Sequence, residues 1–285
     1  MSGELTAPPT GRRVAFFGGS FDPPHLGHLA IARAACDAFH LDKVLFAPVG
    51  AQPLKPEGSS ASFDDRLAMT RLAIAGQPAF EVSLADAPKS PNSRGLRPNY
   101  TPNYTIDTLN ALRAEFKPDC ALYCLMGADS FFGLRRWHRA AEIPYAAALI
   151  VASRPGQPLD GPGQPLAELT SALPAGLTLE PAPDQNSLEP NTLEIDRNES
   201  GANRSGVAVR AFLIVNPAGD RAPFYVLPGL DVEISASDIR EAIRKAGPPV
   251  PGIGASTGAE PGSDAVQTML PVAVAQYIRA NGLYR

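Results

Sequence analysis

Phe16-Phe17-Gly18-Gly19-Ser20-Phe21-Asp22-Pro23-Pro24-His25-Leu26-Gly27-His28 joins two runs of different character. Before it, Arg13-Val14-Ala15-Phe16-Phe17 is a short apolar run that reads as a buried strand. After it, Leu29-Ala30-Ile31-Ala32-Arg33-Ala34-Ala35 consists largely of helix formers. The stretch is therefore a strand-to-helix turn. Gly18 and Gly19 permit open backbone conformations and a close approach to a ligand, and Pro23 and Pro24 stiffen the entry to the helix. The helix start offers N–H groups and a positive dipole end to an anion. His25 and His28 flank Gly27, and either imidazole can donate hydrogen bonds to phosphate oxygens. A lone histidine would read as a surface or capping residue. Both together, with the glycine pair, the strand and the helix start, make a phosphate-handling site. The dinucleotide-binding glycine fingerprint does not fit the spacing Gly18-Gly19…Gly27.

Composition narrows the class. At 285 residues the chain could hold one large domain or two small ones, and 44% hydrophobic residues support a full core. A net charge of −4 leaves no broad basic surface for nucleic acid, so a small anionic substrate needs a local basic site. Cys36, Cys120 and Cys124 show no metal-ligand spacing and read as small buried thiols of a reducing compartment. Met1–Arg12 is polar and lacks an apolar core segment, and no apolar run approaches a membrane span. The expectation is a cytoplasmic protein.

Taken in order, Lys43–Pro48 is a second strand, which gives a β-α-β unit and calls for a parallel sheet with a right-handed crossover. The loop Val49–Pro56 follows the strand's C-terminal end, where open α/β sheets bind ligands; Lys55 by itself is a solvated loop lysine. Ser62 caps a helix running to about Gly76, with Asp65 three residues later, and Asp64 and Arg66 read as helix-end charges. Phe80–Ser83 is a short strand, followed by a polar, proline-containing loop, Ala87–Asn103. Tyr104 opens a helix through Phe116 with Ile106, Leu109 and Leu112 on one face, and Thr105 is its candidate N-cap. Ala121–Met126 is a continuous apolar, central strand; Asp129 after it could cap the next helix. Trp137, the single tryptophan, reads as core, and Ala146–Ala152 as the next strand. From 157 to 206 Pro, Gly, Asn, Glu and Ser dominate, with one or two helical turns at Leu166–Leu169; this is an insertion that makes a surface excursion. A second Gly- and Pro-rich insertion covers 247–263. Val207–Val215 and Phe224–Leu227 are strands, Ser235 caps a helix containing Asp238, Ile239 and Arg240, and Leu270–Tyr284 is a closing helix.

Gly18–His28 resembles the GGSFDPxHxGH signature of the HxGH nucleotidyltransferases. Tyr104-Thr105-Ile106-Asp107-Thr108-Leu109, Gly127-Ala128-Asp129-Ser130, Ser153-Arg154-Pro155-Gly156 and Ile234–Arg240 resemble segments of the bacterial nicotinate-nucleotide adenylyltransferase family within that superfamily. The resemblance covers roughly 12–154 and 222–285. It implies an α/β fold, a Rossmann-like parallel sheet with helices on both faces. The expected layout is an N-terminus disordered over 1–11 and one nucleotidyltransferase domain over 12–285 carrying both insertions. By the same resemblance, Gly18, Gly19, Ser20, Phe21, His25, His28, Ser235, Ser237 and Arg240 would bind ATP. Lys55 would meet the triphosphate, and His25, His28, Lys55 and Arg240 would be catalytic. Tyr104 and Thr105 would hold a nicotinate carboxylate, Asp129 ribose hydroxyls, and Trp137 the pyridine ring. Arg154 would lie near the site in a role that is not fixed. The pattern departs at Gln52 and Leu54 in the proline-rich loop, at His138 where Tyr is common, and at Ala236.

The implied reaction is transfer of AMP from ATP to nicotinate mononucleotide, giving deamido-NAD and pyrophosphate. Mg2+ is expected on the triphosphate, without a protein metal cage. Partners are these small molecules, with no nucleic acid and no membrane; the oligomeric state, homo-oligomers included, stays open. Two alternatives remain: the same chemistry on nicotinamide mononucleotide or pantetheine phosphate, and a non-catalytic nucleotide-binding interaction module.

Overall fold

The computed structural model describes residues 11–54, 57–89, 102–116, 118–153, 166–182, 209–227, 234–246 and 268–285. Lys55, Arg154, residues 1–10, most of the 157–206 stretch and all of 247–263 lie outside the described residues. The chain divides into two compact units. One comprises Met1–Phe17, Ile31–Leu45 and Tyr104–Asp231; the other comprises Gly18–Ala30, Phe46–Asn103 and Val232–Arg285.

In chain order the elements are β1 (Arg13–Gly19), α1 (Leu26–Phe39), β2 (Lys43–Pro48), α2 (Phe63–Ile74), β3 (Phe80–Val82), α3 (Thr105–Glu115), β4 (Ala121–Gly127) and α4 (Ala128–Phe132). They continue with α5 (Ile143–Ala146), β5 (Ala148–Ala152), α6 (Leu166–Ala172), β6 (Thr178–Pro181), β7 (Arg210–Val215), β8 (Arg221–Leu227), α7 (Ala236–Ala246) and α8 (Val272–Ala280).

The first unit is built on a sheet in which β1, β4, β5 and β8 pair in parallel, with Phe16 opposite Cys124, Cys124 opposite Leu149 and Leu149 opposite Phe224. These strands are apolar along their length because both faces are covered: Ala15, Phe16, Leu125, Leu149, Ile150, Val151 and Val226 are all buried. β2 flanks β1 on the side away from β4, so the strand order reverses between β1 and β4. In open α/β sheets ligands bind beyond the strand C-termini at such a reversal. The sheet is mostly parallel but not wholly so, since β7 runs antiparallel to both β8 and β6.

β6 and α6 lie inside the 157–206 stretch, so that stretch is not a surface excursion throughout. β6 pairs with β7 along Thr178–Pro181, and it buries Leu179 while Thr178, Glu180 and Pro181 stay exposed. Pro181 is tolerated there because an edge strand needs bonds on one side only. β8 begins three residues before the expected start, through Pro223. The ladder with β5 starts only at Phe224, whereas that with β7 starts at Arg221. At Pro223 the strand has one partner, so a missing N–H costs little.

The second unit holds the turn after β1, the start of α1, the end of β2, and α2, β3, α7 and α8. β3 joins β2 through the Ser83 N–H, which donates to the Phe46 carbonyl at 2.9 Å. Ser62 caps α2 as expected: its Oγ accepts from the Asp65 N–H at 3.1 Å and donates to Asp65 Oδ2 at 2.6 Å. α8 packs along α2, where the Tyr277 hydroxyl donates to Asp65 Oδ1 at 3.0 Å. Among the described residues, no helix is long and apolar enough to cross a membrane.

Candidate active site

In the second unit the glycine–histidine turn is built from the inside. Phe21 adopts a left-handed backbone, φ 47°, and its ring is buried against Phe46. A Cβ at Gly19 would lie 3.3 Å from that ring, which would have to give by a few tenths of an ångström to accept it. His28 meets the Phe21 ring edge-on at 5.0 Å and lies over His25 at 3.7 Å between ring centroids. His25 is buried, not a surface histidine. Its backbone N–H donates to His28 Nδ1 at 3.2 Å, and its carbonyl accepts from the His28 N–H at 3.0 Å. An Nδ1 that accepts must be unprotonated, so Nε2 carries the proton and His28 is a hydrogen-bond donor on its far side.

Ser235 caps α7, its Oγ accepting from the Asp238 N–H at 3.2 Å. One turn in, Arg240 Nη1 donates to the backbone carbonyl of Asp22 at 2.7 Å and Nη2 to Ser237 Oγ at 3.2 Å. The α7 arginine is thus fastened to the glycine–histidine turn, and Ser235, Ser237, Arg240, His25 and His28 belong to one assembly. Ser20 Oγ donates to Gln52 Oε1 at 2.9 Å, so the residue that departs from the family loop has a contact of its own.

That loop is held by buried Asn103. Its Oδ1 accepts from the Ala51 N–H at 3.0 Å, its N–H donates to the Ala51 carbonyl at 2.9 Å, and Nδ2 donates to the Ala87 carbonyl at 3.0 Å. Gly50 could carry no side chain, because a Cβ would fall on the backbone of Pro88.

Arg66 overturns its reading as a helix-end charge. It is 2% exposed, and donates from Nη1 to the Ser20 carbonyl at 2.6 Å and from Nη2 to the Val49 carbonyl at 2.8 Å. Burial pulls its pKa below the ordinary arginine value, against the opposing charge of Asp22. Asp22 is itself buried, accepting from the N–H groups of Ser60 (2.6 Å) and Ala61 (3.0 Å) and from the Tyr284 hydroxyl (2.8 Å).

The residues expected at an acceptor belong to the first unit. α3 starts at Thr105, with Tyr104 in the cap position and no side-chain cap bond, so the reading of Thr105 as the N-cap is corrected. Tyr104 stacks on His138 at 4.1 Å with the planes 29° apart. Asp107 pairs with Arg139 at 3.6 Å. Two contacts therefore tie the N-terminal turn of α3 to the segment after Trp137. Trp137 is half-exposed, not core, and its backbone N–H donates to the Leu134 carbonyl at 2.8 Å. Asp129 is exposed in the first turn of α4, directly beyond the end of β4. Among the described residues there is no group of three or more His, Cys, Asp or Glu that could hold a metal ion.

The cytidylyltransferase-like family profile matches residues 16–242. A probable nicotinate-nucleotide adenylyltransferase of Gloeobacter violaceus is 43% identical over 160 residues, 56% of this chain and 72% of that protein. One of Roseiflexus castenholzii is 32% identical over 276 residues, 97% of this chain and all of that protein. The chain belongs to the nicotinate-nucleotide adenylyltransferases of the cytidylyltransferase-like family. The Roseiflexus alignment is longer than the motifs alone suggested, since it extends over the 157–206 stretch. Among solved structures, the Plasmodium falciparum nicotinic acid mononucleotide adenylyltransferase complexed with NaAD shares the fold, at a TM-score of 0.57 and 13% identity, covering 96% of this chain and 98% of that one.

For an adenylyltransferase of this family, the residues missed in the sequence are those behind the site. Arg66, Asp22, Asn103 and Tyr284 hold the turn and loop, and Arg139 holds the segment after Trp137. Arg66, Met69, Thr70 and Ala73 are buried with the i, i+3, i+4, i+7 spacing of an inward helix face, which the polar Arg66 and Thr70 hide from a reading of apolar periodicity.

Proposed function

We infer that this chain transfers AMP from ATP to nicotinate mononucleotide, forming deamido-NAD and pyrophosphate, and that the His25–His28 pair carries the step. The observation behind this is the 3.2 Å bond from the His25 N–H to His28 Nδ1, which puts the proton of a neutral His28 on Nε2. An oxygen of the acceptor's phosphate attacks the α-phosphorus of ATP, the bond to the bridging oxygen breaks, and its electron pair leaves with pyrophosphate. The nucleophile is already ionised, so no general base is needed. The protein's work is positioning and stabilising charge on the transferring group and on pyrophosphate.

In this reading His28 and His25 donate to the phosphate under attack, with the start of α1 behind them. Gly18, Gly19, Ser20 and the backbone of Phe21 shape the nucleotide's approach. Arg240, Ser235 and Ser237 meet the leaving phosphates at the N-terminal turn of α7, and Lys55 adds charge to the triphosphate. Mg2+ arrives as part of the ATP substrate, held by phosphate oxygens and water. Asp129 takes ribose hydroxyls, and Trp137 stacks on the pyridine ring. Thr105, beside Tyr104, aims donors at the carboxylate. The compartment in this reading is the cytoplasm.

The test is a direct one. Purified protein with Mg-ATP is given nicotinate mononucleotide, nicotinamide mononucleotide or pantetheine phosphate, and the adenylylated product is separated and counted. A carboxylate gains charge-assisted bonds where an amide presents its own N–H groups, so the expected preference for nicotinate is at least roughly 10²-fold in kcat/KM. Trp137→Ala should weaken both pyridine acceptors, and Thr105→Ala should erode the preference. Equal kcat/KM for the two pyridine mononucleotides refutes the assigned acceptor, and no product with any acceptor refutes the activity.

A further inference from the structure

Asp22 and Tyr284 stand at opposite ends of the sequence, and the Tyr284 hydroxyl donates to Asp22 Oδ1 at 2.8 Å. Asp22 is 5% exposed, and the same carboxylate accepts the Ala61 N–H on Oδ1 and the Ser60 N–H on Oδ2. The phenol is the carboxylate's one side-chain donor among the bonds described for it. Burial first, then the Asp22 charge, push the Tyr284 pKa upward, which keeps it a donor.

The backbone on each side of this bond lies in the left-handed region. Phe21, next to Asp22, has φ 47°, and Tyr284 has φ 65°. Neither is glycine, so both conformations are unfavourable and persist only where surrounding contacts hold them. Tyr284 follows α8, and the bond from Tyr277 of α8 to Asp65 of α2 is separate from its own. What Asp22 supports is Arg240, whose Nη1 rests on the Asp22 carbonyl at 2.7 Å.

We propose that Tyr284 is a positioning residue for AMP transfer: its hydroxyl fixes Asp22, and the Asp22 carbonyl in turn fixes the Arg240 guanidinium. This rests on the reading that Arg240 meets the ATP phosphates. The segment after α8 is then a strut of the ATP side of the site.

The experiment is a double-mutant cycle on full-length protein, with kcat and KM measured for ATP and for nicotinate mononucleotide. Tyr284→Phe keeps the ring and deletes the hydroxyl; Tyr284→Leu is a second variant should the first be insoluble. The expected effect is a fall in kcat/KM for ATP of roughly tenfold, the size of one hydrogen bond to a charged group, with KM for the mononucleotide within twofold. In an Arg240→Ala background the same substitution should cost less than twofold, because its route of action is already gone. Tyr277→Phe is the control for a merely structural strut: it removes a bond from the same segment, to Asp65, and should lower the melting temperature without changing kcat/KM for ATP. An equal loss from Tyr284→Phe with and without Arg240, or an unchanged kcat/KM for ATP in Tyr284→Phe, overturns the proposal. If Arg240→Ala alone leaves kcat/KM for ATP intact, the phosphate role of Arg240 is what fails, and the proposal falls with it.

Discussion

Replacing His28 separates its two functions, because its two nitrogens do different work. Nδ1 accepts the His25 N–H at 3.2 Å, a partly buried neutral bond worth about 1 kcal/mol of stability. The ring also lies 3.7 Å from His25 and 5.0 Å from Phe21, contacts worth about 0.5–1.5 kcal/mol each. In the proposed reaction Nε2–H is the catalytic donor, worth about 10²–10³-fold in kcat if it acts as an oxyanion-type donor does. In His28→Asn the side-chain oxygen can take the place of Nδ1 while the outward donor is lost. In His28→Gln the amide can reach toward the Nε2 position while the inner bond is lost. Turnover is followed by pyrophosphate release with saturating substrates, and stability by thermal melting. Asn should lose about 10²–10³-fold in kcat and keep more of the melting temperature than His28→Ala. Gln should retain more turnover than either. If Asn and Gln fall equally in kcat, the division between the nitrogens is wrong; if Asn keeps more than a third of the wild-type rate, His28 is not a catalytic donor.

Arg66→Met should destabilise by about 3–5 kcal/mol, because it leaves buried carbonyls of Ser20 and Val49 without donors and buried Asp22 without its nearby positive charge. That corresponds to a melting temperature lower by about 6–20 °C, and a shift under 2 °C by calorimetry would show that the guanidinium is dispensable. Burial first, then Asp37, push the Cys36 thiol up from 9.0 to about 11. Between these values the unfolded chain has released a proton that the folded chain keeps, so this thiol's contribution to stability falls as pH rises from about 9 to about 11. The urea midpoint of wild type should therefore fall more steeply with pH than that of Cys36→Ala across this range, and parallel curves would contradict the partial burial of this thiol, which like Cys120 is half-buried where the sequence reading expected a buried one.

The parts of the fold legible in the sequence are those whose cause is local. β1, β4 and β5 are continuous apolar runs because both sheet faces are covered, and the turn after β1 announces itself through adjacent glycines and prolines. β6 was not legible. Four residues with one buried leucine, ending in Pro181, have no intrinsic strand signal; β7 supplies it, from Phe212 to Val215. Pro223 hid the start of β8 for the complementary reason. A proline argues against a strand unless one side of that strand is unpaired, and pairing on that side is a tertiary fact.

The site divides along the same line. Groups that would touch a substrate sit in contiguous motifs, because a strand end or a helix start places neighbours in sequence around one ligand. Groups that hold the motif rigid come from wherever the chain returns: Arg66 from α2, Asn103 from before α3, Tyr284 from beyond α8. Their chemistry follows from burial. The turn places the carbonyl of Ser20 and the carboxylate of Asp22, and the loop after β2 the carbonyl of Val49, where water is excluded, and each needs a donor. The carbonyl of Asp22 receives its donor from Arg240, which couples the arrangement of the turn to the residue proposed to meet the ATP phosphates. A site that works by placing donors around developing charge, with no base to activate and no covalent intermediate to form, has its rate set by how firmly those donors are held. On the proposed mechanism, substitutions at Asp22 and Tyr284, which touch no substrate, should appear first in kcat/KM for ATP.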